Sequence, residues 1–299
     1  MNNSHVPDSH VPDSRLTPAR PDLAAEYLRS SVQAARYTQG RAEYVVAGIA
    51  DMRGEPSPGA SVTTQALRGE HVQVYEVEEG WAWCQLKNDG YVGYLPAAAL
   101  APMDLPATHR VHVLSTFLYP GPSMKLPALL SLPLNAAISV TGMDGPFARI
   151  GQEGFVWAAH LEPPGASAFE YTAIAECFIG APYLWGGKSV HGIDCSGLVQ
   201  TALAAAGIAA PRDTDMQEAA LGQTLVEGEV AKQPVEQWTC SLQRGDLVFW
   251  RGHVGIMRDA HNVLHANGHH MLVASEPLVE AVRRISINSF GAVTSVRRL

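Results

Sequence analysis

Apolar and polar residues alternate in short runs between about residues 43 and 102. The clearest run is His71–Val77, where Val72, Val74 and Val77 are separated by polar or aromatic positions. A period of two indicates a strand with one buried face. The Asn88–Gly90 turn (Asn-Asp-Gly) between two such runs is typical of a hairpin. Many short strands joined by tight turns predict a small β-barrel over residues 43–104.

A fainter version of this pattern covers residues 105–164. Apolar runs occur at Val111–Val113 and Ala137–Val140, and Gly154–Trp157 occupies the place that Gly90–Gly93 has in the first copy. The repetition predicts a second small β-barrel. Pro163 and its neighbours then mark a linker into a third region, residues 165–299.

Helical spacing appears at two places. Leu198 and Leu203 recur within an Ala-rich stretch, which predicts a helix that starts at Cys195 and is capped by Asp194 or Ser196. Near the N-terminus, the pattern from Leu23 predicts a short amphipathic helix within residues 21–42, capped by Asp22. Residues 1–20 repeat the sequence SHVPD and offer few apolar side chains, which predicts a disordered tail.

Composition narrows the class of protein. The 299 residues carry 21 Lys and Arg against 29 Asp and Glu, a net charge of -8, without a basic cluster, so nucleic acid and anionic membranes are not expected partners. No apolar run is long enough to cross a bilayer, and the N-terminus lacks the apolar core of a signal peptide, which predicts a cytoplasmic protein. The four cysteines are therefore expected to be free thiols.

One of these cysteines has the surroundings of a nucleophile. Cys195 is predicted at a helix start, where the unpaired N–H groups and the helix dipole favour a thiolate. Downstream, residues 247–257 predict a hairpin that carries His253, and a further apolar run carries His265. Paired strands bring alternate side chains together, so we expect a Cys–His–His triad in which His265 orients His253.

These blocks resemble the NlpC/P60 family of cell-wall cysteine peptidases. The resemblance covers residues 169–299 and is carried by the aromatic-Trp-Gly-Gly run, the DCSGLV block, the GDLVFW and GHVGI segments and the later His265. It implies a papain-like domain with a permuted sheet order, in which Cys precedes His. The first β region is similar to a bacterial SH3 domain. The expected fold is α+β: two SH3-like barrels followed by a permuted papain-like NlpC/P60 domain.

The resemblance also implies an activity: a gamma-D-glutamyl-L-diamino acid endopeptidase of murein recycling. It would act on L-Ala-gamma-D-Glu-diamino acid peptides with a free amine and need no metal or organic cofactor. Catalysis would fall to Cys195, His253 and His265. Further site residues implied are Tyr183 beside the oxyanion and, for substrate binding, Asp194, Ser196, Asp213, Thr214, Tyr91 and Glu55. Asp51 or Glu70 is an alternative to Glu55.

Three other interpretations compete with this one. His269 and His270, together with His265 and Cys195, form a possible zinc set, although the segment has the pattern of a strand and turn rather than of a helix with paired ligands. A catalytically inactive wall-peptide-binding protein and an acyl- or amide-transfer enzyme remain alternatives. The sequence leaves open the oligomeric state and the choice between diaminopimelate and lysine.

Overall fold

The structure is a computed structural model that describes residues 13–102, 105–165, 170–231 and 233–299. The strands of the N-terminal region are β1 (Leu23–Ala25), β2 (Arg36–Thr38), β3 (Arg41–Val45), β4 (Ile49–Arg53), β5 (Val62–Leu67), β6 (His71–Glu78), β7 (Trp81–Leu86), β8 (Val92–Pro96) and β9 (Leu100–Ala101). From β3 onward they form one antiparallel sheet in the order β5-β4-β8-β7-β6-β3-β9.

The alternation that predicted these strands is confirmed in β6. Val72 and Val74 are buried in the centre of the sheet, packed with apolar residues of β4 and β7. A shift in register between Val74 and Glu76 turns Tyr75 inward as well, into a separate cluster with Trp83. The predicted period of two therefore breaks at this bulge, where the sequence spacing from Val74 to Val77 is three residues.

The predicted helix within residues 21–42 is wrong. The segment instead forms the parallel pair β1 and β2, with only a single 3-10 turn at Glu26–Leu28. Leu23 and Ala25 are buried against Tyr75 and Trp83 of the barrel. Packing of β1 onto this aromatic surface outweighs the modest helix propensity of the segment.

The predicted disordered tail is only partly open to comparison, because residues 1–12 lie outside the described residues. From residue 13 onward the prediction is wrong. The carbonyl of Arg15 accepts a hydrogen bond from the N–H of Val92 at 2.8 Å, and Ala19 bridges to Ala24. The chain from residue 13 thus runs along the first β region.

A second β region follows, with strands β10 (His109–Val111), β11 (Ser115–Leu118), β12 (Leu130–Pro133), β13 (Ala137–Ile138), β14 (Val140–Asp144), β15 (Phe147–Ile150), β16 (Gly154–Trp157) and β17 (Leu161–Glu162). They surround their own apolar core, which includes Val111, Leu132 and Ile138. The two β regions touch closely: a Cβ on Gly48 would lie 2.0 Å from the carbonyl oxygen of Ser131.

The C-terminal region holds the longer helices. Its strands are β18 (Lys188–Ser189), β19 (Gly192–Ile193), β20 (Gln223–Glu227), β21 (Leu247–Trp250), β22 (His253–Met257), β23 (Asn262–Asn267), β24 (Leu272–Pro277) and β25 (Val293–Arg298). Its α-helices are α1 (Tyr171–Glu176), α2 (Cys195–Ala205), α3 (Thr214–Ala220), α4 (Gly228–Ala231) and α5 (Leu278–Asn288). Short 3-10 helices lie at Ala97–Ala99, Ala158–His160, Val235–Gln237 and Thr239–Ser241.

An antiparallel sheet in the order β20-β25-β21-β22-β23-β24 forms the centre of this region. The predicted cysteine helix and the predicted hairpin are both confirmed, as α2 and as β21–β22. Helix α2 packs against β22 and β23, and every residue of it except Ala204 is buried. The fold therefore places the first residue of α2 beside the beginning of β22. None of the helices described is both long and apolar enough to span a bilayer.

Candidate active site

Cys195 is the first residue of α2 and is only 6% exposed. The side chain of Asp194 caps this helix by accepting the Gly197 N–H at 2.6 Å. The sulfur lies 4.0 Å from the Thr214 hydroxyl and against the backbone N–H of Val254. Val254 directly follows His253, the residue that begins β22.

Two histidines and a carboxylate form a hydrogen-bonded row on the sheet that packs against α2. His253 Nε2 lies 2.8 Å from His265 Nδ1, and His265 Nε2 lies 2.8 Å from Glu276 Oε1. Phe290 stacks on the His253 ring, with centroids 5.2 Å apart and planes at 7°. Arg284 of α5 donates to the same Glu276 oxygen. The row runs from β22 through β23 to β24.

The row determines which nitrogen of His253 can act as a base. An ionised Glu276 accepts only, so neutral His265 donates from Nε2 and accepts at Nδ1. His253 must then donate from Nε2, which leaves the lone pair on Nδ1 for the thiol proton. Glu276 fits this assignment, because the His265 hydrogen bond and the positive charge of Arg284 outweigh burial and lower its pKa.

Burial favours neutral forms of both reacting groups. It holds the pKa of His253 well below 6.5, with further lowering by His265 and Arg284. Burial and the charge of Asp194 raise the pKa of the Cys195 thiol to about 11, against the opposing N–H groups of Val254 and Ser196. The expected thiolate-favouring effect of the helix start is thus outweighed. Burial thus disfavours the ionised form of each group.

A cleft of ≈ 330 Å³ opens over the sulfur. It is lined by Arg15, Thr63, Tyr91, Tyr183, Trp185, Asp194, Cys195, Ser196, Asp213, Thr214, Asp215 and Gly252. The lining comes from the N-terminal segment, the first β region and the C-terminal region together. Trp185 is 66% exposed at this site, a large aromatic surface available to a ligand. Of the site residues predicted from the sequence, Tyr91, Tyr183, Asp194, Ser196, Asp213 and Thr214 line this cleft.

Asp194 is bound internally by a buried arginine. Arg212 donates to both carboxylate oxygens, at 3.1 and 2.6 Å, and to the Ser196 hydroxyl at 2.8 Å. Its Nε–H reaches the hydroxyl of Thr64 on β5, 2.8 Å away. Asp194 also accepts from the Gly186 N–H. These bonds give Asp194 and Ser196 a structural role at the start of α2.

Asp213 is the carboxylate that faces both the cleft and the first β region. Its Oδ2 accepts hydrogen bonds from the Tyr91 hydroxyl at 3.1 Å and from Nη1 of Arg15 at 2.8 Å. It is also the N-cap residue of α3, although its side chain makes no capping hydrogen bond. The Tyr91–Asp213 pair therefore joins the two regions across the cleft.

Glu55 does not reach this site. It lies in an exposed turn between β4 and β5, whereas the cleft is lined on this side by Thr63 and Tyr91. The two alternatives are also elsewhere: Asp51 accepts a hydrogen bond from Gln65, and Glu70 pairs with Lys188. Matching across a turn of variable length misplaced this acid.

The zinc alternative does not fit the geometry. His265 uses both ring nitrogens for His253 and Glu276, and His270 bonds Asn267 through Nδ1. Over the described ranges, no three or more His, Cys, Asp or Glu side chains converge as a metal-binding group.

Three residues at the site are not among those predicted from the sequence: Glu276, Arg212 and Arg15. A signal existed for Glu276: β23 and β24 pair His265 with Ala274, so Glu276 is the diagonal neighbour on the same face of the sheet. The corresponding sequence mark is a single charged residue in the strand. Arg212 and Arg15 act across long sequence separations and carry no comparable local sign.

This constellation defines a class: a cysteine peptidase with a thiol at a helix start and a histidine pair on the adjoining sheet. Two family models match the chain, "Bacterial dipeptidyl-peptidase Sh3 domain" at residues 52–100 and "NlpC/P60 family" at residues 180–283. The second match contains Cys195, His253, His265 and Glu276. The chain accordingly has a bacterial SH3 domain and an NlpC/P60 domain, and it is an enzyme of the NlpC/P60 cysteine peptidase family.

Two curated relatives match this chain over about three quarters of its length. A gamma-D-glutamyl-L-lysine dipeptidyl-peptidase of Bacillus cereus is 27% identical over 254 residues, which cover 77% of this chain and 72% of that protein. Dipeptidyl-peptidase 6 of Lysinibacillus sphaericus is 27% identical over 248 residues, 75% of this chain and 86% of that protein. A crystal structure of an NlpC/P60 family protein from Bacillus cereus matches with a TM-score of 0.69 at 21% identity, covering 86% of this chain and 99% of that one, and shows the shared fold.

Proposed function

We propose that this enzyme hydrolyses the bond between gamma-D-Glu and the diamino acid in murein peptides that begin with a free L-Ala. The observation that carries the proposal is the Tyr91–Asp213 pair in the same cleft as Cys195. A carboxylate in a peptide-binding cleft provides a partner for an N-terminal ammonium. The names of the Bacillus cereus and Lysinibacillus sphaericus relatives agree with a peptidase that releases N-terminal dipeptides.

The chemistry follows from the hydrogen-bonded row. His253 Nδ1 takes the thiol proton as Cys195 sulfur attacks the gamma-carbonyl carbon of D-Glu. The oxyanion is stabilised by the backbone N–H of Cys195, which has no intrahelical acceptor at the helix start, with Tyr183 beside it. Protonated His253 then gives its proton to the leaving amine, forming a thioester. Water, deprotonated by His253, hydrolyses the thioester and restores the thiol.

Recognition of the free amine follows from electrostatics. Desolvating an ammonium is costly, and a partly buried carboxylate offsets that cost. An acylated amine, as in intact wall, would leave Asp213 without this partner and would place bulk against Tyr91. We therefore propose soluble murein fragments as substrates and recycling in the cytoplasm as the setting. Lysine and diaminopimelate both remain candidates for the diamino acid.

We further propose that residues 105–164 are a second SH3-like barrel and that the C-terminal domain has a permuted papain-like topology. The separate apolar core of the second β region and the order of Cys195 before His253 support these assignments. In this proposal the first barrel closes one side of the cleft through Thr63 and Tyr91. The second barrel packs against the first, at Gly48.

The test is cleavage of synthetic L-Ala-gamma-D-Glu-L-Lys and its diaminopimelate counterpart, each free and N-acetylated, followed by mass spectrometry. We expect the dipeptide L-Ala-D-Glu from the free peptides, none with Cys195→Ala, and at least about a hundredfold lower kcat/KM after acetylation, as for other sites built around a polar group. Equal rates on free and blocked peptides would refute amine recognition. Binding without turnover by the wild type would favour the inactive wall-peptide-binding protein, and transfer products the transferase.

A further inference from the structure

The N-terminal segment, residues 13–42, contributes the side chain of Arg15 to the lining of the cleft. Its position is fixed by backbone bonds to the first barrel: Val92 N–H donates to the Arg15 carbonyl at 2.8 Å, and Gln85 Nε2 donates to the Leu16 carbonyl at 2.9 Å. The Leu16 side chain lies over Gly90 in the turn before β8. These contacts fix the backbone of Arg15 beside the strand that follows Tyr91.

The guanidinium of Arg15 binds the carboxylates at the cleft. Nη1 lies 2.8 Å from Asp213 Oδ2 and 2.9 Å from Asp215 Oδ1, and Nη2 lies 2.7 Å from Asp215 Oδ2. Asp13 adds a further pair at 2.7 Å. Hydrogen bonds to Asp215 and Asp13 raise the pKa of Arg15, so the side chain stays charged. Arg15 thus donates to the same Asp213 oxygen as the Tyr91 hydroxyl.

A guanidinium on Asp213 has the chemistry of a substrate ammonium at that place: a cation whose N–H groups donate to a carboxylate. We propose that Arg15 is a specificity-determining residue that occupies Asp213 in the free enzyme and is displaced from it by the cationic N-terminus of the substrate. The identity of that substrate rests on the proposed function. The competition itself needs only a small cation in the cleft.

Arg15 loses only one of its hydrogen bonds when a ligand displaces it from Asp213. Its bonds to Asp215 and Asp13 remain when the single Nη1 contact to Asp213 is exchanged. In the empty cleft, the same charge offsets the repulsion among the neighbouring carboxylates. Arg15 would consequently weaken binding of cationic ligands and leave neutral ligands unaffected. Its removal should increase the preference for a free amine.

A thiol reagent tests this without a substrate. Modification of Cys195 is followed by mass spectrometry with aminoethyl methanethiosulfonate, which is cationic, and with neutral ethyl methanethiosulfonate. We expect Arg15→Gln to raise the ratio of cationic to neutral rates by about threefold or more, the size of one net hydrogen bond. Arg36→Gln removes an equal charge from an exposed position on the same segment and controls for the general field. An unchanged or lower ratio in Arg15→Gln, or an equal rise in Arg36→Gln, overturns the proposal.

The peptide assay is the second arm. Arg15→Gln should lower KM for free L-Ala-gamma-D-Glu-L-Lys, while the N-acetylated peptide is cleaved as slowly as by the wild type. A higher KM for the free peptide would show that Arg15 supports binding and would overturn the proposal. If the wild type cleaves neither peptide, the proposed function fails, and the reagent ratio still decides the role of Arg15.

Discussion

At the scale of single residues, Glu276 extends the hydrogen-bonded pair of His253 and His265 by a carboxylate. Glu276→Gln keeps a hydrogen-bond acceptor but removes the charge that fixes His265 in one tautomer. We expect kcat to fall by about tenfold to a hundredfold, part of the 10²–10⁴ that a positioned general base contributes. KM should change less than about twofold, because Glu276 does not line the cleft. Steady-state kinetics on the cleaved tripeptide provide the measurement.

The control for this variant is Glu280→Gln, the same chemical change at an exposed position on α5. It should behave as the wild type. Glu276→Asp, which retains the charge on a shorter side chain, should recover part of kcat. A Glu276→Gln enzyme with wild-type kcat would contradict a positioning role, and a loss that tracks only thermal stability would make the role structural.

The buried His253 predicts the acidic side of the pH profile. Catalysis needs the neutral imidazole, and burial holds its pKa well below 6.5, so the base remains unprotonated as the pH falls through 6.5. We expect the acidic limb of kcat/KM to lie below pH 6.5. Rates measured from pH 4.5 to 8 at constant ionic strength locate it. A limb at or above 6.5 would contradict a buried neutral base.

The reacting residues could be predicted because each lies in a recognisable local sequence pattern. Cys195 follows a capping Asp194 before an apolar helix, and His253 opens a strand that follows a tight turn. The arginines that bind the neighbouring polar side chains could not be predicted in this way, because Arg212 reaches Thr64 and Arg15 reaches Asp213 only in the folded chain. No period or motif encodes a pairing between residues 15 and 213.

At the scale of elements, the start of α2 depends on one buried ion pair. Arg212 is 1% exposed and its partner Asp194 also binds Gly197 N–H at the head of the helix. Arg212→Met leaves a buried carboxylate unpaired, which typically costs about 3–5 kcal/mol. We expect a loss of that size in the free energy of unfolding, measured by urea denaturation.

The matched comparison is Arg29→Met, which removes an exposed ion pair with Glu26. Solvent screens such a pair, so the free energy of unfolding should stay close to the wild-type value. If the free energy of unfolding falls equally in the two variants, burial does not make the Arg212–Asp194 pair more stabilising than an exposed ion pair.

Elements with a strong period were predicted correctly, and one with a weak period was not. Helix α2 and the β21–β22 hairpin combine an apolar pattern with clear start signals. The Leu23–Tyr37 segment had a helical pattern too, but Leu23 and Ala25 gain more by packing on the aromatic surface of Tyr75 and Trp83. Isolated short helices are marginal, so tertiary packing decides such segments.

At the scale of the whole molecule, the cleft exists only where three parts of the chain meet. Gly186 shows how tightly they are fitted, because a Cβ there would lie 2.9 Å from the carbonyl oxygen of Val62 on β5. The residue also has φ 80°, a region that favours glycine. The separate β regions were predictable from their repeated strand pattern. The cleft could not be predicted, because its walls come from three parts of the chain that meet only in the folded protein.

The Tyr91–Asp213 hydrogen bond tests whether this docking serves substrate binding. Tyr91→Phe removes one hydroxyl on the barrel side and leaves Asp213 with one donor fewer to orient it. We expect kcat/KM on the free-amine peptide to fall by about threefold to tenfold, the value of one net hydrogen bond, chiefly through KM. Tyr75→Phe is the control, since that hydroxyl bonds Gln85 within the barrel. Equal effects of the two variants would mean that the loss comes from barrel stability rather than from the cleft.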